Sequence, residues 1–163
     1  MFSKISPCLW FDTQAEDAAL FYTGIFKNSK IVAISRYPDT GQEIPGKPPG
    51  SVLTVAFTLN GQSFTALNGG PHFKFNEAVS FQIECETQEE VDYYWERLSA
   101  GGAPAAQQCG WLADKFGLSW QVVPKVLPEM LTDPYPAKSQ RAFQAMLQMK
   151  KLDIAALHRA FAG

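Results

Sequence analysis

The stretch Asp12-Thr13-Gln14-Ala15-Glu16-Asp17 returns 74 residues later as Glu86-Thr87-Gln88-Glu89-Glu90-Val91. A chain that repeats itself in this way is expected to fold as two copies of one supersecondary unit. Each copy carries Thr-x-x-Glu, a capping box in which the Thr hydroxyl accepts from an orphan amide and the Glu reaches back to the cap's own N–H. Loss of either Thr is expected to cost about 1 kcal/mol. Before each box lies a run with strand character, Ser6 to Phe11 and Ser80 to Cys85. After each comes an amphipathic helix, from Gln14 to Phe26 with Ala18, Phe21, Tyr22 and Ile25 on one stripe, and from Gln88 to Ser99 with Val91, Tyr94, Trp95 and Leu98. Gly24 weakens the end of the first helix, and Gly101-Gly102 stops the second.

Further along, Gly61-Gln62-Ser63-Phe64-Thr65-Ala66-Leu67 is answered by Gly117-Leu118-Ser119-Trp120-Gln121-Val122-Val123, now only 56 residues away. The first half therefore holds 18 residues more than the second. Most of them fall in Arg36 to Ser51, a Pro- and Gly-rich stretch that reads as a long hairpin loop. The remaining strands are Ile31 to Tyr37, Val52 to Asn60 and Ser63 to Leu67 in the first half, and Gln107 to Leu112 and Leu118 to Pro124 in the second. Each half reads as strand, helix, then two or three antiparallel strands. Beyond Pro124 the pattern is helical: Ser139 is a predicted N-cap, Phe143, Met146, Leu147 and Lys150 follow at helical spacing, and Asp153 caps a last helix carrying Ile154, Leu157 and Phe161. Met146 and Met149 read as packing residues, and the tail is expected to lie against the sheets or a second subunit.

Composition narrows the partners. Fourteen Lys and Arg against sixteen Asp and Glu give a net charge of -2, and no basic run exceeds Lys150-Lys151. Neither nucleic acid nor an anionic membrane is expected to bind, which leaves a small-molecule ligand. Apolar runs are far shorter than the roughly 18 residues of a membrane span, and the first residues lack a signal-peptide pattern. With three cysteines, Cys8, Cys85 and Cys109, and no C-x-x-C pair, the chain reads as a cytoplasmic protein with free thiols.

Two such halves, joined by Gly69-Gly70-Pro71-His72, resemble the vicinal oxygen chelate superfamily of glyoxalase I, bleomycin-resistance proteins and extradiol dioxygenases. The resemblance covers the whole chain. It sharpens at Phe64 to Pro71, at Phe75 to Phe81 and at Cys109 to Pro124. These stretches are similar to the PhnB-like branch, often grouped as the 3-demethylubiquinone-9 3-methyltransferase family. The resemblance implies an α+β fold of two tandem βαβββ modules, residues 1–70 and 71–126, forming U-shaped antiparallel sheets around a ligand cavity. A C-terminal helical extension, residues 127–163, completes the unit, and a homodimer is the usual assembly.

Enzymes of that superfamily carry metal ligands, His or Glu, on the first and last strands of each half. The repeat carries those positions onto Ser6, Thr65, Ser80 and Gln121. Gln82 and Glu84 share the strand face of Ser80, and Cys8 and Trp10 share that of Ser6, whereas Phe81, Ile83 and Cys85 face a helix. Neutral hydroxyls and one amide do not offset the desolvation of a divalent ion. No metal is therefore expected, with Cys8 and Glu84 the nearest compensating donors and His72 and His158 isolated in linker and tail. No cofactor is expected either, because Asn68-Gly69-Gly70-Pro71 follows a strand but opens no helix to hold S-adenosylmethionine, and reads as a tight turn.

Several other residues take plain roles. Cys109 reads as a structural thiol and Asp114-Lys115 as turn residues, while Tyr93, Tyr94 and Trp95 read as helix packing. Of the indoles, Trp120 alternates away from Gln121 into the core, Trp10 is expected to line the cavity, and Trp111 stays unassigned.

The leading expectation is a protein that binds a small organic molecule through Thr65, Ser80, Gln82, Gln121, Trp10 and Ser6. No catalytic residue stands out. Two alternatives remain open: a glyoxalase- or dioxygenase-like enzyme acting on a small carbonyl or aromatic substrate, metal-dependent through Cys8 and Glu84 or metal-free, and an interaction protein acting through its tail.

Overall fold

Asn28 and Asn60 take positive φ at the ends of the first helix and third strand, and with Gly61 they turn the first repeat back on itself. The computed structural model describes residues 4–41 and 44–163. The chain divides into two compact units, Met1–Lys74 and Phe75–Gly163.

In the first unit β1 (Cys8–Phe11) leads to α1 (Ala15–Ile25), then β2 (Lys30–Arg36), β3 (Val52–Leu59) and β4 (Gln62–Asn68). The sheet order is β1-β4-β3-β2. Alternation sends Leu9, Phe11, Val55, Phe57, Leu59, Phe64 and Ala66 to one buried face, where Ala15, Ala18, Ala19, Tyr22 and Ile25 of α1 are buried with them. Phe57 stacks between Tyr22, at 6.3 Å, and Phe64, at 5.4 Å.

The second unit repeats the order with β5 (Ser80–Cys85), α2 (Gln88–Ser99), β6 (Trp111–Ala113) and β7 (Ser119–Pro124), in the sheet order β5-β7-β6. Its core is Ile83, Cys85, Leu112, Trp120 and Val122 on the sheet and Val91, Trp95 and Leu98 on α2. The fold class is α+β with two tandem modules and a helical tail. Two details depart from the expected pattern. Each sheet is mixed, because β1 joins β4 and β5 joins β7 in parallel. The second sheet has three strands, one fewer than a βαβββ module, and the predicted run from Gln107 yields only a single bridge from Gln108 to Trp111 and the start of a three-residue β6, after a 3-10 turn at Pro104–Ala106.

The two helix starts are built differently. At α2 the Thr87 hydroxyl accepts from Glu90 N–H at 3.2 Å, while the Glu90 carboxylate accepts at 2.7 Å from the N–H of Glu86, one residue before the cap, and not from the cap's own N–H as expected. At α1 the expected box does not form: the N-cap is Gln14, without a side-chain cap. The Ala15 N–H instead donates to Asn68 Oδ1 at 2.8 Å. A distant amide that is already buried supplies the acceptor and leaves Thr13 without that role.

The tail forms α3 (Val126–Leu131), α4 (Pro136–Leu147) and α5 (Ile154–Ala162). Leu127, Met130, Ala142, Leu152 and Leu157 make its core, with Met146, Met149 and Phe161 packed against it. Asp153 caps α5, accepting from Ala156 N–H at 2.8 Å. Ser139 is not a cap. Pro136 opens α4 one turn earlier, and the Ser139 hydroxyl donates back to the Pro136 carbonyl inside the helix. Gln88, the first residue of α2, ties the tail to that helix, donating to the Leu152 carbonyl and accepting from Ile154 N–H. Among the described residues no helix is long and apolar enough to cross a membrane.

Candidate functional site

On the second sheet, the face turned away from α2 carries Ser80, Gln82 and Glu84 of β5, Gln121 and Val123 of β7, and Trp111 and Ala113 of β6. Register sets Trp111 opposite Gln121 and Gln121 beside Gln82, so one indole and two amides form a row across three strands. Gln121 Nε2 donates to Ser80 Oγ at 2.8 Å, and Gln82 Nε2 donates to Gln121 Oε1 at 3.4 Å. Three of the residues expected from the sequence thus form one hydrogen-bonded group. The carboxylate of Glu84 is exposed one step along β5. On the opposite face burial, reinforced by the charges of Glu90 and Glu84, pushes the Cys85 thiol up to about 12.

In the first unit Thr65 pairs with Cys8 and Leu67 with Trp10, so Thr65, Cys8 and Trp10 share the face opposite α1. Across β4 the same face continues through Ala56 and Thr54 of β3. Ser6 is exposed and precedes β1, which begins only at Cys8. The indole of Trp10 is committed to the strand's end: its Nε1 donates to the Gly70 carbonyl at 2.9 Å, and Phe73 meets it edge-on at 4.9 Å. A Cβ on Gly69 would lie 2.1 Å from the Trp10 ring. The Asn68–Pro71 turn is therefore required by the closeness of the indole at Gly69 and by positive φ at Gly70.

A divalent metal does not fit these donors. Among the described residues no three His, Cys, Asp or Glu side chains come together. Ser6, Thr65, Ser80 and Gln121 supply neutral oxygens, and burial raises the Cys8 thiol above its ordinary value, away from the thiolate that a metal requires.

Sequence reasoning passed over two features. A cavity of about 250 Å³ lies in the first unit, lined by Thr13, Glu16, Asp17, Lys47, Ser51 and Asn68 among others. Lys47 is only 8% exposed, and its Nζ donates to the Asp12 carbonyl at 2.6 Å, which pins the long loop to the start of α1. The only signal in the sequence is a lone cation between Pro45-Gly46 and Pro48-Pro49. Asp114, read as a turn residue, is 2% exposed and accepts from Phe116 N–H, Leu118 N–H and Trp120 Nε1.

The family described as 3-demethylubiquinone-9 3-methyltransferase matches residues 3–123. A PhnB protein from Bacillus cereus shares 38% identity over 75% of this chain and 99% of its own, with a TM-score of 0.64. Protein PA1353 from Pseudomonas aeruginosa matches at 17% identity over 75% of this chain and 97% of its own, with a TM-score of 0.60. The fosfomycin resistance protein FosX from Listeria monocytogenes matches at 18% identity over 82% of this chain and all of its own, with a TM-score of 0.53; these last two share the fold alone. No curated protein matches the chain.

Proposed function

The chain belongs to the 3-demethylubiquinone-9 3-methyltransferase family, the PhnB-like branch of the vicinal oxygen chelate superfamily, and on that premise we propose that it binds a small organic molecule on its sheet faces, through hydrogen bonds and without a metal. The observation that carries this reading is the Ser80-Gln121-Gln82 network, which stands where the superfamily's metal ligands are expected and offers only neutral groups. Each amide keeps an N–H and a lone pair beyond those contacts, enough to read a polar group on a ligand. On the first unit Thr65, beside Cys8 and Trp10, offers a further hydroxyl.

Methyl transfer from S-adenosylmethionine does not fit this chain. Such a cofactor is held by a Gly-rich turn opening a helix, and the turn at Asn68–Pro71 leads instead through residues 72–79 to β5, with its glycines occupied by Trp10 packing and a positive φ. The family description serves here as a name for the fold's branch.

A homodimer is the assembly proposed for this branch, and three free thiols agree with a cytoplasmic setting. Size-exclusion chromatography with light scattering tests the former. The binding reading is tested by thermal-shift and calorimetric screening of small neutral aromatic and carbonyl compounds. Hits are expected to lose about tenfold or more in affinity in Gln121→Ala, with the melting temperature nearly unchanged. A variant that unfolds while its ligand affinity stays the same would make Gln121 structural and defeat the proposal.

A further inference from the structure

Trp111 lies in register with Gln121, which in turn lies in register with Gln82, so a flat apolar ring ends a row whose other two members are amides. Directly paired residues on neighbouring strands share a face, and two strand spacings, roughly 10 Å, separate the row's ends. That span accommodates one six-membered ring beside the indole with its polar edge on the amides.

The backbone holds the indole's strand firmly. Trp111 exchanges both backbone hydrogen bonds with Gln108, at 2.8 and 3.1 Å. The preceding residue, Gly110, has φ +84, and its carbonyl accepts from Val122 N–H. A Cβ there would lie 2.9 Å from both Leu152 and the Val122 carbonyl, so the chain approaches β7 and the tail as closely as it can. Trp111 is half-buried. Gln121 is anchored in turn by Ser80.

Charge narrows the ligand further. The only ionisable group that alternation adds to this face on β5 is Glu84, which would repel an anion placed on the row. The amides present a donor and an acceptor side by side, the complement of a cyclic amide or imide edge.

We propose that Trp111 is the specificity-determining residue of this face, stacking a planar, uncharged ring whose amide- or imide-type edge bonds to Gln121 and Gln82. This rests on the reading above that the face is the ligand site. Offset stacking on an indole rewards a flat π-system and gives a saturated ring of the same polarity little.

Two probes with the same donor and acceptor but different shape separate the terms: 2-pyridone, which is planar, and δ-valerolactam, which is saturated. Dissociation constants are measured by ligand-observed NMR on the full chain, with thermal melts to confirm folding. The wild type is expected to bind 2-pyridone about tenfold more tightly than δ-valerolactam. Trp111→Leu is expected to abolish that preference, Trp111→Phe to retain most of it, and Gln121→Ala to weaken both probes alike. A preference that is absent in the wild type or survives in Trp111→Leu, while Gln121→Ala still weakens both, overturns the stacking role and leaves the ligand face standing. If neither probe binds the wild type, the face reading and the inference fall together.

Discussion

The side chain of Asn68, the last residue of β4, accepts a 2.8 Å hydrogen bond from the N–H of Ala15, the first residue of α1, across 53 positions of sequence. The same amide donates to the Val52 carbonyl at 3.1 Å, and the Asn68 backbone carbonyl accepts from the Tyr37 hydroxyl at 2.6 Å. One buried residue therefore joins helix, sheet and loop. Asn68→Leu is expected to cost about 2 kcal/mol, because it strips a helix start of its acceptor and takes a donor from the half-buried Val52 carbonyl. Urea unfolding measures it, and a loss below about 0.5 kcal/mol would contradict this role.

The two threonines of the repeat should behave differently. Thr87→Ala is expected to lose about 1 kcal/mol, since its hydroxyl caps α2. Thr13→Ala is expected to stay within about 0.5 kcal/mol of wild type, its capping place being held by Asn68. Equal losses in the two variants would restore the symmetric pair of boxes.

Asp114 accepts three hydrogen bonds while almost wholly buried, one of them from the Trp120 indole at 2.9 Å. Asp114→Ala removes the acceptor of two backbone amides and an indole N–H at once, with an expected cost of about 3 kcal/mol. Near-UV circular dichroism should report the altered Trp120 environment; an unchanged spectrum would remove the indole from the account.

Alkaline pH should act through Cys85. Its thiol is raised from 9.0 to about 12, chiefly by burial, so the folded state favours the neutral form. The resulting stabilisation is full below pH 9 and is lost as pH rises from 9 towards 12. The stability difference between wild type and Cys85→Ala should therefore shrink over that window. Native protein at pH 8.5 should leave Cys85 unmodified by iodoacetamide until it is unfolded.

At the acid end Asp92 is the marker. The Lys151 ammonium at 2.7 Å and the Gln88 amide at 3.0 Å hold its carboxyl below the usual 3.8. A lowered value stabilises the fold above pH 3.8 and fades as pH falls through the folded value. Both partners are more than a third exposed, so the pair is worth at most about 1 kcal/mol, and Asp92→Asn should flatten that part of the stability profile in low salt.

What the sequence made legible follows the range of the interactions involved. The span Gln88–Ser99 of α2 was readable to the residue because its cap, Thr87, and its stop, Gly101-Gly102, are its own neighbours. The start of α1 was not, because its acceptor arrives from β4. Alternation and the repeat located Ser80, Gln82 and Gln121 on one face, since a strand's period needs no tertiary knowledge. The loop cavity around Lys47 escaped, because Pro and Gly announce a turn without saying what it folds onto. The short α3 was hidden by Pro128, which a first helical turn tolerates.

The parallel pairing of β1 with β4, and of β5 with β7, sets an order of events during synthesis. In each unit the strand made first finds its neighbour only when the last is made, so a nascent chain ending before Asn68 holds β1 with an open edge and α1 without its acceptor. The second unit repeats the delay up to Pro124. Closure thus comes in two steps, each triggered by the arrival of a final strand, and a ribosome stalled within either unit would expose the strand edge from which intermolecular pairing begins.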